Sequence, residues 1–159
     1  MAKNQLSYTV LKDIGFSLLE EGRTIKIRAD GLSMYPTIKQ GSVIFIGPYE
    51  KDSHPLPGEI IAFKKDAGFI VHRLVRLYDE GNNILVVTRG DSSIKDDEPV
   101  PVEMVAGKVV RIEDPYGRTI PFRPVPGKKP KYVLNRFLVK IILLIYRIKK
   151  FFGFSLQKP

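Results

Sequence analysis

The sequence predicts a mainly β protein: a compact barrel or sandwich with a short helix at the amino terminus and an amphipathic, basic helix at the carboxy terminus. The β prediction rests on short runs rich in β-branched residues and on the Gly, Pro and Asp residues that separate them. Short strands joined by turns are typical of a closed or layered sheet. The six predicted strands are residues 24–29, 42–47, 59–64, 69–77, 83–88 and 106–112.

Residues 1–22 predict a helical segment at the amino terminus. Their apolar residues are spaced for one face of a short helix, and Gly22 is suited to end it. Acidic residues at Asp13, Glu20 and Glu21 break up any continuous apolar run, so we expect neither a secretory signal peptide nor a membrane span here. The apolar positions are Leu6, Val10, Leu11, Ile14, Leu18 and Leu19.

The composition predicts one globular domain, which we place at residues 23–122. The chain has 159 residues, of which 43% are hydrophobic and 27% charged, and this is enough for a single core. The absence of cysteine excludes disulfides and thiolate metal sites. Since there are also only two histidines, we expect no metal site and no cofactor.

Charge divides the chain into two parts. The net charge is +9, yet residues 115–159 contain eleven Lys or Arg and no Asp or Glu. Residues 1–114 contain fifteen basic and seventeen acidic residues, a net charge of −2. The basic excess therefore belongs to the carboxy-terminal part, which predicts an anionic partner: nucleic acid, anionic lipid or an acidic protein.

A linker rich in Pro, residues 123–131, precedes a predicted helix at residues 132–154. On this helix Arg136, Lys140 and Arg147 fall within ~40° of one another, and most of the remaining surface is Val, Leu, Ile and Phe. The pattern favours a helix that lies on an anionic membrane surface. Of the two sides of the membrane, we favour the cytoplasmic face. A helix packed on the β domain or on a second copy of the chain, and a tilted membrane span, are the alternatives.

Ser33 lies in the stretch DGLSMYPTI, between two apolar residues. A serine hydroxyl needs a neighbouring base to act as a nucleophile, and often an acid that orients the base. His72, in the apolar run FIVHRLVRL, is a candidate base, but a histidine in a strand predicted to be buried on both faces also suits a structural role. The loop at residues 88–100 contains three aspartates, which either supply the acid or are simply solvated.

Four segments in order resemble the successive conserved boxes of type I signal peptidases: SMYPT (33–37), GEIIAF (58–63), IVHRLV (70–75) and TRGDSSIKDD (88–97). The resemblance covers roughly residues 25–112. A histidine at the base position is typical of the archaeal and endoplasmic-reticulum branch, whereas the bacterial branch has a lysine. The self-cleaving SOS repressors share the fold of this family.

The resemblance implies a signal-peptidase-like β fold and a membrane-associated serine endopeptidase that cuts signal or leader peptides of preproteins after small residues. By position it implies that Ser33 is the nucleophile and His72 the general base. It also implies that Asp97 orients the base and that Asp91 supports the site.

The resemblance further implies an apolar groove in which the substrate binds as an added strand. Leu32, Met34 and Pro36, which surround the serine, are the candidate substrate contacts. Many members of the family have a second serine two positions before the nucleophile, where its hydroxyl helps to form the oxyanion hole. This chain has Gly31 at that position, so one donor of the oxyanion hole is in question.

Two other classes of function are open at this point. One is a peptide-binding module with the same fold and no catalysis, which the joint presence of serine, histidine and two aspartates disfavours. The other is nucleic-acid binding through the basic tail. We expect no nucleic-acid partner, because the cations of the tail are interleaved with aliphatic residues and suit lipid better than a phosphate backbone.

Overall fold

The computed structural model describes residues 14–50, 53–65, 68–81, 83–122, 137–141, 144–145 and 148. Its first element is a helix, α1, at residues 14–20. Gly22 ends this helix with a φ of +81°, and the N–H groups of Gly22 and Arg23 donate to the carbonyls of Leu19 and Leu18 at 3.0 and 2.9 Å. The helix therefore ends where the sequence predicts; residues 1–13 of the predicted segment lie outside the described residues.

The described residues form one sheet of eight strands, and every pairing is antiparallel. The strands are β1 (Ile25–Arg28), β2 (Val43–Gly47), β3 (Ile60–Lys65), β4 (Gly68–Glu80), β5 (Asn83–Arg89), β6 (Val100–Pro101), β7 (Val105–Glu113) and β8 (Thr119–Ile120). Their order across the sheet is β1-β2-β7-β3-β4-β5-β6, and β8 pairs with β7. A 3₁₀ turn at Val102–Met104 connects β6 to β7.

The mainly β class is confirmed, and each of the six predicted strands is present. The sequence does not predict β6 and β8, because a two-residue strand has no periodicity and β6 ends in a proline. Strand β4 is longer than predicted, since Tyr78, Asp79 and Glu80 pair with β5 despite their polar character.

Strand β3 lies between two hydrophobic clusters, which explains its uninterrupted apolar run. Ile60 and Ala62 belong to the first cluster, together with residues from α1, β1, β2 and β7. Ile61 and Phe63 belong to the second cluster, with residues from β4 and β5. The two faces of one strand thus join the two halves of the core.

Two strand edges face a groove. Strand β1 is the outermost strand at one end of the sheet. On β4, residues 68–72 pair with β3 on one side, whereas pairing with β5 on the other side begins at Arg73. The sequence predicts burial of residues 69–77 on both faces, but in this run only Leu74 is fully buried, and residues 69–72 line the groove.

The carboxy-terminal part is helical at residues 137–141, 144–145 and 148. Most of its described apolar side chains are exposed, with Phe137 at 62% and Leu144 at 58% of their full accessible surface. The linker at 123–131 and the remaining positions of the predicted helix, including Arg136 and Arg147, lie outside the described residues. Within the described ranges, no helix has the length and apolar character that a membrane crossing requires.

Candidate active site

Ser33 lies in a turn at residues 32–38, and two other residues of this turn pack in the hydrophobic core. Met34 and Ile38 of the same turn are 4% and 2% exposed and belong to the first hydrophobic cluster. The N–H of Ile38 donates to the carbonyl of Met34 at 2.9 Å, and that of Tyr35 donates to the carbonyl of Leu32 at 3.1 Å. The apolar residues around the serine therefore hold its backbone in place.

The loop after β5 is hydrogen-bonded to the same turn. The backbone N–H and the Oγ of Ser92 both donate to the Ser33 carbonyl at 2.9 Å, and the same Oγ lies 3.0 Å from the Leu32 carbonyl. Gly90 permits this close approach, because a Cβ at that position would lie 2.7 Å from the Ser33 carbonyl oxygen. Any larger residue at position 90 would therefore clash with the Ser33 backbone.

His72 on β4 points at Ser33. The Nε2 of His72 lies 3.0 Å from the Ser33 Oγ, and the side chain of His72 is 14% exposed. In the neutral tautomer that carries its proton on Nδ1, Nε2 accepts the hydrogen bond from the serine hydroxyl. This arrangement is the one in which an imidazole can take the hydroxyl proton.

Asp97 holds the other side of the imidazole. Its Oδ2 lies 2.6 Å from the His72 Nδ1 and accepts a second hydrogen bond, also at 2.6 Å, from the Thr88 hydroxyl. The Asp97 N–H donates to the Thr88 carbonyl at 2.8 Å, which fixes the backbone of the loop against β5. Burial by itself raises the pKa of Asp97, but the hydrogen bonds from His72 and Thr88 outweigh it and hold the pKa below its usual value.

Asp91 is placed away from the imidazole and has a supporting position. It is 1% exposed and accepts two hydrogen bonds from the Arg73 guanidinium and one from the Thr37 hydroxyl. Arg73 follows His72 on β4, and Thr37 belongs to the turn that carries Ser33. Asp91 therefore connects the strand of the base to the turn of the nucleophile.

Asp96 faces away from His72. Its carboxylate accepts hydrogen bonds from Arg76 Nη1 at 2.7 Å and from Arg89 Nε at 2.6 Å. Burial alone raises the pKa of Asp96, but the bonds from Arg76 and Arg89 exceed this effect and lower it. Of the two adjacent aspartates, the structure thus pairs Asp97 with the imidazole.

A groove of about 660 Å³ opens beside Ser33 and His72. Of the three predicted substrate contacts, Met34 is among its lining residues. The sequence also predicts Leu32 and Pro36 as substrate contacts, but neither is among the described residues that line the groove, and Pro36 is exposed on the turn. The lining residues are Lys26, Ile27, Arg28, Ala29, Asp30, Gly31, Ser33, Met34, Ile38, Ile44, Phe69, Ile70, Val71 and His72.

Four side chains that support the site are not predicted from the sequence: Arg73, Thr37, Thr88 and Ser92. Their positions in the sequence could have indicated them. Arg73 directly follows the predicted base, and the other three lie within the segments that resemble the signal peptidases. Within the described ranges, no group of three or more His, Asp or Glu side chains is arranged to hold a metal ion. What the geometry can support is nucleophilic attack by Ser33 with proton transfer to His72; the individual roles stay predictions.

Comparison with known proteins gives one family. No curated protein matches the chain. The model of a family described as Peptidase S24-like matches residues 4–110, which include Ser33, His72, Asp91 and Asp97. The match agrees with the resemblance to type I signal peptidases, which are relatives of this family, and with the fold of the self-cleaving SOS repressors. Since the match spans more than half of the 159 residues, the chain belongs to the Peptidase S24-like family, which at family level supports a serine-type peptidase.

Proposed function

We propose that this chain is a serine endopeptidase of the signal-peptidase type, which cuts signal or leader peptides after small residues. The observation that carries the proposal is a pair of hydrogen bonds made by the His72 ring. Its Nε2 lies 3.0 Å from the Ser33 Oγ, and its Nδ1 lies 2.6 Å from the Asp97 carboxylate. Ser33 and His72 lie at the wall of an apolar groove. A nucleophile, a base and an oriented acid beside a peptide-sized groove support acyl transfer.

The first half of the reaction forms an acyl-enzyme. The Ser33 Oγ attacks the scissile carbonyl carbon while its proton passes to the His72 Nε2. Asp97 accepts the hydrogen bond from Nδ1–H and stabilises the imidazolium that results. The tetrahedral intermediate then breaks its C–N bond, and the proton on Nε2 passes to the departing amine.

The second half releases the other product. A water molecule attacks the ester carbon and gives a proton to Nε2 of His72, which is neutral again after the first half. When the C–O bond to Ser33 breaks, that proton returns to the serine oxygen. The enzyme is restored, and the substrate leaves as an amine and a carboxylic acid.

The groove suits a substrate in extended conformation. Its two long walls are β1 with the residues that follow it and the first half of β4. The open backbone edge at residues 68–72 can donate and accept the hydrogen bonds of an added strand. The side chains of Ile27, Met34 and Val71 give the groove an apolar lining.

Cleavage of peptides by the purified full-length chain tests the proposal. A fluorogenic peptide with alanine at the cut should be cleaved, and Ser33→Ala and His72→Ala should each abolish cleavage while retaining the far-ultraviolet circular dichroism of the wild type. Ser92→Ala is a useful comparison, since it removes a hydroxyl that contacts the turn but not His72. Binding of the peptide without cleavage by the wild type would favour the non-catalytic module instead.

We further propose that the carboxy-terminal helix attaches the enzyme peripherally to an anionic membrane surface. Support comes from the exposed apolar side chains at Phe137, Ile141, Leu144, Ile145 and Ile148, and from the exclusively basic charge of residues 115–159. Apolar burial in the interface and attraction of cations to anionic headgroups act together in such helices. Confinement of enzyme and substrate to one surface would raise their effective concentration.

Vesicle binding by the full chain tests the membrane proposal. Each cation near an anionic surface contributes about 1 kcal/mol. Joint replacement Arg136→Glu, Lys140→Glu and Arg147→Glu should therefore weaken binding to anionic vesicles strongly and binding to neutral vesicles much less.

A matched control moves the same charge reversals to the β domain. Arg23→Glu, Lys39→Glu and Lys95→Glu change exposed cations that are distant from the tail in sequence. This control should bind anionic vesicles more tightly than the tail variant. Equal binding of both variants, or tight salt-dependent binding of the wild type to duplex DNA alone, would contradict membrane attachment.

A further inference from the structure

The groove wall that β1 forms contains two cations. Lys26 and Arg28 line the groove and are exposed, whereas Ile25 is buried and Ile27 is half-buried. This alternation is that of a strand, in which successive side chains point to opposite faces of the sheet. Ile27 and Ala29 pack against the first hydrophobic cluster. The apolar side chains of this wall therefore face the core, and its two cations lie on the opposite face of the sheet.

The neighbouring strands show which cations of this face are already neutralised. Phe45 of β2 is the cross-strand partner of both Lys26 and Arg111. The Arg111 Cζ lies 3.6 Å from the centroid of the Phe45 ring, and the Lys26 Nζ lies 5.5 Å from it. Arg111 also forms an ion pair with Glu113 at 3.3 Å. Among the described residues, by contrast, no carboxylate lies within 4.0 Å of the charged nitrogens of Lys26 or Arg28.

The positive charge on this wall is a local feature. Residues 1–114 contain fifteen basic and seventeen acidic residues, so the β domain as a whole does not attract anions. Asp30, two positions after Arg28, is exposed and also lines the groove. At about 3.3 Å per residue, Asp30 is roughly 13 Å from Lys26 along the wall. The wall is therefore negative close to the turn that carries Ser33 and positive further from it.

A substrate strand added to β1 would have side chains on both faces of the sheet. Directly opposite side chains of two paired strands lie on the same face, with their Cβ atoms about 4.5–5.5 Å apart. Alternate substrate side chains would therefore lie on the apolar side of the groove with Ile27, and those between them would lie beside Lys26 or Arg28. A small residue directly before the cut suits the apolar side. The second and fourth residues before the cut then lie on the side of the cations.

We propose that Lys26 and Arg28 select substrates with an acidic side chain at the fourth residue before the cut. Asp30 makes the second residue a poorer position for an acidic side chain, because the two carboxylates would repel each other. The inference rests on the proposed peptidase function and names a class of substrate, a peptide with acidic character before the cut. The attraction is that of an exposed pair of opposite charges across two strands, so it is modest and is weakened by salt.

Matched peptides test the preference. They share alanine directly before the cut and carry glutamate, glutamine or lysine at the fourth residue before it. We expect kcat/KM of the wild-type chain to be about two- to fivefold higher for glutamate than for glutamine, the range of an exposed ion pair, and lowest for lysine.

Two control peptides move the glutamate. At the third residue before the cut it would be desolvated on the apolar side of the groove, and cleavage should be poorer than with glutamine. At the third residue after the cut it should have no effect. An equal gain from glutamate at all three positions would overturn the inference, because it would show attraction to the whole protein and not to this wall.

Salt separates the effect of charge from that of shape. The Debye length decreases from about 10 Å at 0.1 M to about 3 Å at 1 M ionic strength. The glutamate-to-glutamine ratio should therefore decrease toward one over this range, while cleavage of the glutamine peptide changes little. A ratio that stays constant with salt would contradict selection by the two cations.

Variants of the wall should change the preference. Joint replacement Lys26→Gln and Arg28→Gln should bring the glutamate-to-glutamine ratio to near one. Joint replacement Lys26→Glu and Arg28→Glu should invert the preference, so that the lysine peptide is cut best. The changes should appear in KM with kcat nearly constant, because the hydrogen bonds of Ser33 and His72 do not involve either cation.

Two further variants test the position of the charge. Asp30→Asn should raise kcat/KM for a peptide with glutamate at the second residue before the cut. Arg23→Glu is the matched control for charge reversal, since Arg23 is exposed and is not among the described residues that line the groove. It should keep the wild-type ratio. Circular dichroism shows that each variant is folded, and an unchanged ratio in folded Lys26→Glu with Arg28→Glu would overturn the inference.

Binding of the same peptides to Ser33→Ala by fluorescence anisotropy separates this inference from the proposed function. Tighter binding of the glutamate peptide, lost when Lys26→Gln and Arg28→Gln are added, would support the inference even if the wild type cut no peptide. Cleavage without a charge preference would refute the inference and leave the peptidase proposal standing. Weaker binding of the double variant to anionic vesicles, with an unchanged peptide ratio, would assign the cations to lipid and refute it too. Absence of both cleavage and peptide binding would refute both proposals.

Discussion

Arg73 holds Asp91 through two parallel hydrogen bonds: its Nε lies 2.8 Å from Oδ1 and its Nη2 lies 2.7 Å from Oδ2. Both side chains are largely buried, at 14% and 1% exposure. Arg73 also donates to the Gly58 carbonyl at 2.8 Å, and Asp91 accepts from Thr37. The pair therefore connects three segments of the candidate site without touching the Ser33 hydroxyl.

Asp91→Ala should lower the free energy of unfolding, because Asp91 supports the fold of the site and does not contact the reacting atoms. Removing one partner of a buried ion pair costs about 3–5 kcal/mol, because the other charge stays buried. Glu21→Ala is the matched control, since Glu21 and its partner Arg23 are 62% and 68% exposed, and surface pairs contribute only about 0–1 kcal/mol. Urea unfolding of both variants measures the difference, and equal losses of unfolding free energy would contradict the structural role of Asp91.

Asp97→Asn should lower kcat by about 10²- to 10⁴-fold, because a misoriented imidazole with the wrong tautomer is a poor base. Asp96→Asn alters the adjacent carboxylate, which contacts Arg76 and Arg89, and should keep kcat close to that of the wild type. Steady-state kinetics on one peptide is the measurement. Nearly normal kcat in both variants would show that Ser33 and His72 act as a dyad.

The lowered pKa values of Asp96 and Asp97 predict a loss of stability in acid. For a carboxyl whose folded pKa lies below its unfolded value, the stabilisation is complete above the unfolded value, about 3.9, and is lost as the pH falls through the folded pKa. Urea midpoints should therefore decrease as the pH falls below about 4.

Asp96→Asn provides the control for this pH dependence. The variant cannot take up a proton at that side chain, so its urea midpoint should depend less steeply on pH in the acid range. An equally steep or steeper dependence would mean that the Arg76 and Arg89 contacts do not stabilise the folded state through charge.

Gly31→Ser should raise kcat. Gly31 lies two positions before Ser33, where many type I signal peptidases have a serine that helps the oxyanion hole, and a Cβ added there meets no heavy atom within 4 Å. One oxyanion donor is worth about 10²–10³ in rate, which sets the upper limit of the gain. Gly31→Ala adds the same carbon without a donor and serves as the control. Equal kcat in the two variants would show that a hydroxyl at this position does not reach the oxyanion.

The strand pattern shows how far the sequence alone carries the fold. Runs such as residues 42–47 and 59–64 consist of β-branched and apolar residues, and they fold as β2 and β3 because such residues favour the extended backbone locally. Strands β6 and β8 have no such local cause. They pair because β5 and β7 offer them a backbone edge, and this depends on residues that are distant in the chain.

The candidate site divides in the same way. The sequence by itself determined the positions of Ser33, His72 and the aspartates, the segregation of basic charge into the tail and the resemblance to a peptidase family, since each depends on residue type and order. Only the tertiary structure decided that Asp97 contacts the imidazole while Asp96 turns to two arginines and Asp91 to a third. The physical reason is that a hydrogen bond requires its atoms within about 3 Å, and the pairing of β4 with β5 and the Asp97-to-Thr88 backbone bond set those distances.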